Sequence, residues 1–122
     1  MTHPPTKLGR IAATLTVTDM PRALAFYVDV LGMTKTFENG EPVRFAIVAR
    51  DAAELHLQLG KEHRASDRNV AHLLVDDATV LHDHLVAQSA RIVKAMRDAD
   101  YGLRTFVFAD PDGNRIDVGQ RI

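Results

Sequence analysis

Cysteine is absent from this chain, so its chemistry has to come from oxygen and nitrogen groups. That excludes a thiolate nucleophile, a disulfide, and zinc or iron–sulfur sites bound through sulfur. Six histidines are the groups best suited to metal ligation, to proton transfer near neutral pH, or to holding a polar ligand atom. His82 and His84 flank Asp83 in a predicted helix, where residues two apart fall on different faces, so they are no chelate and are read as solvated surface. His63 lies in a charged stretch and is read the same way. His56, in Leu55-His56-Leu57, and His72, within Val70 to Val75, instead stand in strand-like runs whose faces can present them to a ligand. Asp117 stands in another such run. Glu54, just after a turn, is a conceivable general base, and Tyr101 offers a flat apolar ring with one hydroxyl, suited to a planar ligand.

The elements that carry these groups follow from periodicity. From Arg10, the residues Ile11, Ala13, Leu15 and Val17 alternate with Ala12, Thr14, Thr16 and Thr18, which predicts a strand with one packed face. Asp19 is an N-cap, Pro21 suits a first turn, and Ala23, Leu24, Tyr27, Val28 and Leu31 recur at helical spacing until Gly32. Strands are predicted over 34–38, 43–49 and 54–59, separated by Asn39-Gly40 and by 50–53. After a charged stretch the order restarts: a strand over 70–75, an N-cap at Asp77, a helix with Ala78, Leu81 and Leu85, and strands over 91–95, 102–109 and 115–120. Val17-Thr18-Asp19 and Val75-Asp76-Asp77 stand 58 residues apart, which makes an internal repeat. The expectation is one domain over residues 1–122, with a first module at about 8–60, a linker over 61–68 and a second module at about 69–121.

Length and composition agree with one globular domain: 122 residues, 46% apolar and 25% charged. The net charge of -1, with both signs scattered, offers no basic stripe for nucleic acid and names no ligand. Neither an apolar leader nor a run of ~20 apolar residues is present, which gives the expectation of a soluble cytoplasmic protein with no membrane partner.

Two strings carry a resemblance. Residues 17–33, Val-Thr-Asp-Met-Pro-Arg-Ala-Leu-Ala-Phe-Tyr-Val-Asp-Val-Leu-Gly-Met, are similar to the opening of the first module of the glyoxalase / bleomycin-resistance / extradiol-dioxygenase (vicinal oxygen chelate) superfamily, with its V-x-D…A-x-x-F-Y…L-G-F/M pattern. Residues 101–117 resemble its closing hairpin, where an aromatic-Gly step precedes a strand and D-P-D-G-N/H makes the last turn. Pro111 presets φ there, Gly113 tolerates positive φ, and the Asp and Asn side chains bond local backbone groups, so the loop reads as a turn rather than as catalytic machinery. The resemblance implies an α+β fold of two tandem βαβββ modules whose curved mixed sheets form a cleft, with the helices on the other face. Alternation then puts Thr14, His72 and Asp117 on the cleft side, and Leu15, Leu73 and Ile116 on the helix side.

Metal-dependent relatives place a His on the first strand of each module and a Glu on a last strand. Counted from the matched anchors, those positions are Ala12, Val70 and Asp117, and neither alanine nor valine can ligate a metal. The closest resemblance is therefore to the bleomycin-resistance-like branch, which implies a metal-free protein that binds or sequesters an aromatic or drug-like molecule, as in antibiotic resistance, in the clefts of a homodimer. The ligand-binding residues expected are Tyr101, His56, His72, Arg104, Thr14, Phe108 and Asp117, with no catalytic residue assigned. An alternative stays open: a displaced site of His56, His72 and Asp117 holding Zn, Ni, Mn or Fe in a lyase, isomerase or dioxygenase. Asp117 has a further reading, as the ion-pair partner of Arg104 or Arg115.

Overall fold

The computed structural model describes residues 2–122. In the first module β1 (Ala13–Val17) leads to α1 (Met20–Leu24), then to β2 (Thr34–Asn39), β3 (Phe45–Arg50) and β4 (Ala53–Leu59). In the second, β5 (Asn69–Leu74) leads to α2 (Ala78–Ala87), β6 (Arg91–Asp98), β7 (Leu103–Ala109) and β8 (Arg115–Arg121). Each module makes one four-stranded sheet with the same order, β1-β4-β3-β2 and β5-β8-β7-β6. The first and last strands of each module run parallel and the other pairs antiparallel, so two βαβββ units of identical topology stand in tandem. Among the described residues no helix is long and apolar enough to cross a membrane.

Both helix starts behave as their residue types dictate. Asp19 and Asp77 hold extended backbone with φ at -145°, and their carboxylates accept the amides of Arg22 and Val80 at 3.0 Å each. The first helix then departs from α geometry: Ala25–Val30 is a π-helical stretch in which the Leu31 amide bonds the Phe26 carbonyl at 3.0 Å. The wider turn lets two consecutive aromatics face inward together, Phe26 8% and Tyr27 0% exposed, with ring centroids 5.1 Å apart and planes at 87°. Arg50 Nη1 donates to the Leu31 carbonyl at 3.0 Å and closes the helix end beside Gly32, whose φ is 72°.

One apolar core runs through both modules. Leu15, Val17, Ala46, Val48 and Leu57 from the first sheet join Phe106, Phe108, Ile116 and Val118 from the second, together with Met20 and Ala23 of α1 and Ala78 and Leu85 of α2. Phe26 meets Phe108 across the junction at 6.1 Å. The Asp110–Asn114 turn adds a polar tie. Asp110, 4% exposed, accepts Tyr27 Oη at 2.8 Å, Asn114 Nδ2 at 2.9 Å, and the backbone amides of Asp112 and Asn114 at 2.9 and 2.8 Å. Asn114 Nδ2 also donates to the Thr16 carbonyl at 2.9 Å, and Asp112 accepts from Thr18 and from Arg22 Nη2. The sequence pattern marks a good turn; the structure shows that its side chains also fasten the second module to the β1–α1 junction of the first. Gly113, with φ at 80°, is required twice over, because a Cβ there would lie 2.8 Å from Ala65 Cβ.

Candidate functional site

Register decides which side chains share a face. In the first sheet Thr14 pairs with His56 and His56 with Ile47, while Phe45 pairs with Gln58. These residues therefore occupy the face opposite the core, since Leu15 and Leu57 pair on the core face. His56 Nε2 lies 2.9 Å from Glu54 Oε2, and Arg10 reaches the other Glu54 oxygen at 3.5 Å. An aromatic row extends across the strands: Phe45 is edge-on to His56 at 5.5 Å, and Phe37, 49% exposed, lies 6.2 Å from Phe45.

The second sheet carries a matching unit on its own open face. His72 pairs with Asp117 across β5 and β8, and His72 Nδ1 lies 2.8 Å from Asp117 Oδ2. With the carboxylate accepting, Nδ1 donates to Asp117, and Nε2 has no partner among the described residues. Gly119 makes room for this ring, for a Cβ there would stand 3.0 Å from His72 Cε1. Beside the pair is a hollow of about 130 Å³ lined by Lys94, Arg97, Tyr101, Thr105 and Asp117 among others. A wider groove of about 360 Å³ opens at the β5–β8 end near Leu74, Asp76 and Arg121, but Asp117, the carboxylate that holds His72, and Tyr101 both line the smaller hollow, which is the better candidate site.

Five of the seven expected ligand residues thus stand on open faces, in two groups: Thr14 with His56 on the first sheet, and His72, Asp117 and Tyr101 on the second. The other two do not. Phe108 is 0% exposed and pairs with Ile116, so it belongs to the core face with Phe26 and Phe106. Arg104 shares that parity, two residues from Phe106. It bonds Asp98 at 2.8 and 3.4 Å rather than Asp117, and the Arg104 hydrogen bond draws the Asp98 carboxyl below its usual range. Asp117 is held by His72 and makes no ion pair with Arg104 or Arg115, whose guanidinium bonds the Asp67 carbonyl at 3.1 Å. The helix histidines are not merely solvated: His84 Nε2 donates to the Val30 carbonyl at 2.6 Å, and His82 stands edge-on to Phe106 at 5.2 Å. Glu54 is engaged by His56 and Arg10.

The metal ligands implied by the resemblance do not fit. Ala12 and Val70 have no donor, and His56 and His72 are each engaged by a different carboxylate on a different sheet. Among the described residues no three His, Cys, Asp or Glu side chains gather around a common point, so the chain by itself does not assemble His56, His72 and Asp117. Sequence reasoning missed Lys94, Arg97 and Thr105 in the hollow and Phe37 and Phe45 on the other sheet. Phe45 could have been found, because it shares parity with Ile47 in an alternating run. Lys94 and Arg97 could not, because bulges in β6 set their face.

A family model described as Glyoxalase/Bleomycin resistance protein/Dioxygenase superfamily matches residues 7–118. No curated protein matches the chain. Among solved structures, a member of the glyoxalase/bleomycin resistance protein/dioxygenase superfamily from Sphaerobacter thermophilus is 26% identical, with a TM-score of 0.79, covering 95% of this chain and 98% of the other. The bleomycin-binding protein from bleomycin-producing Streptomyces verticillus, complexed with copper(II)-bleomycin, is 24% identical with a TM-score of 0.74 over 96% and 99%. A lactoylglutathione lyase from Agrobacterium tumefaciens is 21% identical with a TM-score of 0.72 over 97% and 96%. The latter two share the fold; one binds a drug and the other is named as an enzyme.

Proposed function

The chain belongs to the Glyoxalase/Bleomycin resistance protein/Dioxygenase superfamily, and from that premise we propose that it binds and sequesters an aromatic or drug-like small molecule without a metal, in clefts completed by a second copy of the chain. The observation that carries this reading is the chemistry at the two first-strand positions where metal-dependent relatives place histidine. Ala12 and Val70 cannot donate, and Val70 is 40% exposed apolar surface. The histidines that remain serve as hydrogen-bonding groups oriented by Glu54 and Asp117. The exposed rings of Phe37 and Tyr101 supply stacking area. That a bleomycin-binding protein shares the fold supports a binding role, and a scaffold that hosts both binding and catalysis does not decide between them.

A second copy is needed for two reasons. The hollow of about 130 Å³ is smaller than the ~300–1,000 Å³ that encloses a drug-sized ligand, so another wall has to complete it. Leu74, Val70, Phe37 and Tyr101 also leave apolar surface uncovered on the open faces, and Leu8 and Ile11 are 86% and 92% exposed ahead of β1.

The test is elemental analysis of untagged, unchelated protein, with its mass from light scattering and a thermal-shift screen of aromatic ligands. The expected result is a dimer with no stoichiometric metal that is stabilised by an aromatic compound and loses that stabilisation in Tyr101→Ala. Near-stoichiometric Zn, Ni, Mn or Fe that falls in both His56→Ala and His72→Ala overturns the reading and makes a metal-dependent enzyme the working description.

A further inference from the structure

The two open faces differ in charge, and the difference bears on what the cleft takes. On the first sheet, Phe37, Phe45, Ile47 and His56 form an aromatic and apolar row, and the one carboxylate, Glu54, is engaged by Arg10 and His56. On the second, cross-strand register puts Lys94 beside Val107 and Asp117, Arg97 beside Thr105, Arg91 beside Ala109 and Arg115, and Arg121 beside Leu103. All of these lie opposite Phe106, Phe108 and Ile116, so five cations share one face with a single carboxylate, Asp117, in a chain whose net charge is -1. The side chains of Lys94 and Arg97 make no hydrogen bond or ion pair with other described residues, and both residues line the hollow with Tyr101 and Thr105.

We infer that the hollow on the second sheet is the acid-binding end of the cleft, and that the ligand is a planar aromatic molecule bearing a negative charge. This rests on the small-molecule-binding reading above and names its ligand class. Tyr101 supplies the ring wall. Lys94 and Arg97 supply two cations with no internal partner, and Arg97 has the fork geometry that matches a carboxylate or another oxyanion. Asp117 accepts from His72 and keeps one negative charge, so against the two cations the hollow is left net positive. At about 130 Å³ the hollow accommodates one charged ring rather than a whole drug-sized molecule, so the apolar remainder extends out of it.

The test is calorimetric titration of the intact protein with three probes of one shape: 2-naphthoate, 2-naphthamide and 2-naphthylmethylammonium. The anion is expected to bind about tenfold tighter than the amide, the cation weakest, and the advantage of the anion to shrink as salt rises from about 50 to about 500 mM. Lys94→Gln/Arg97→Gln is expected to remove that advantage while leaving the amide unchanged, and Tyr101→Ala to weaken all three. Both substitutions are on exposed residues, and a thermal melt checks that the variants fold. Equal binding of the three probes, or an anion preference that survives the double variant, overturns the inference and leaves the binding reading standing. No binding of any probe overturns both.

Discussion

The two sheets have the same strand order, the same parallel closing pair, the same Asp cap on the helix and a histidine–carboxylate pair on the open face, yet they are built for different contacts. The pair on the first sheet lies within one strand, Glu54 and His56, and adjoins an aromatic row; that on the second spans two strands, His72 and Asp117, and adjoins Lys94 and Arg97. The core faces show no such divergence, since both are apolar and meet in one cluster. A shared frame thus constrains the packed face, while the open face is free to specialise. A cleft that draws one wall from each kind of sheet would receive a ligand with an apolar part and an acidic part.

The largest effect is expected where the two modules are joined rather than where they differ. Asp110→Ala removes a buried acceptor and leaves Tyr27 Oη, Asn114 Nδ2 and two backbone amides without it. The expected cost is roughly 3–5 kcal/mol, out of a total of about 5–15 kcal/mol for a domain, seen as a much lower urea midpoint. A near-normal midpoint would mean that the apolar core alone joins the modules.

Tyr27→Phe probes the same junction more gently, since Asp110 keeps its other donors: about 1–2 kcal/mol is expected. Burial first, then the Asp110 charge and hydrogen bond, hold the Tyr27 phenol well above its usual pKa. A raised folded value means that this contribution is complete below the unfolded pKa of about 10 and is lost as pH rises beyond it. Wild-type stability should therefore fall above about pH 10, and Tyr27→Phe should flatten that fall. Parallel alkaline profiles in denaturant titrations would show that the phenol is not the group responsible.

Much of this was legible beforehand, for physical reasons. Asp19 and Asp77 cap helices by local geometry alone, and the alternation of Thr14 with Leu15, or of Ile116 with Asp117, fixes faces because side chains in a strand point to opposite sides. The superfamily followed from two strings at the right places. Phe108 and Arg104 do not face a ligand because strand parity, and not aromatic or cationic character, sets the side; both share a face with Phe106. The π-helical turn that brings Phe26 and Tyr27 inward together leaves no periodic signature. Nor does the reach of Asp110 and Asn114 to Tyr27 and Thr16, since contacts across 83 and 98 residues depend on how the modules dock.

Phe45→Ala tests the aromatic wall of the first sheet. If the aromatic row holds the apolar part of a ligand, this change should weaken 2-naphthamide and 2-naphthoate alike, by about three- to tenfold, because an aromatic contact contributes about 0.5–1.5 kcal/mol beyond its area. Calorimetry in which only the charged probe weakened would place the acidic group on the first sheet and reverse the assignment of the two walls.

The smallest effect is expected at Arg104. Its bond to Asp98 is exposed to solvent, and exposed ion pairs contribute little. The hydrogen bond from Arg104 depresses the Asp98 pKa, so what stability the pair confers is present above the ordinary carboxyl value and lost as pH falls through the lower folded one. At neutral pH Arg104→Ala should leave the thermal midpoint nearly unchanged. It should also leave the affinity for all three naphthyl probes unchanged, because the guanidinium lies on the helix side of the second sheet while Lys94 and Arg97 lie on the open side. The contrast between two arginines on neighbouring strands of one sheet is the narrowest test of parity: a loss of naphthoate binding in Arg104→Ala, matching that in Arg97→Gln, would mean that the two faces are not separated as the register requires.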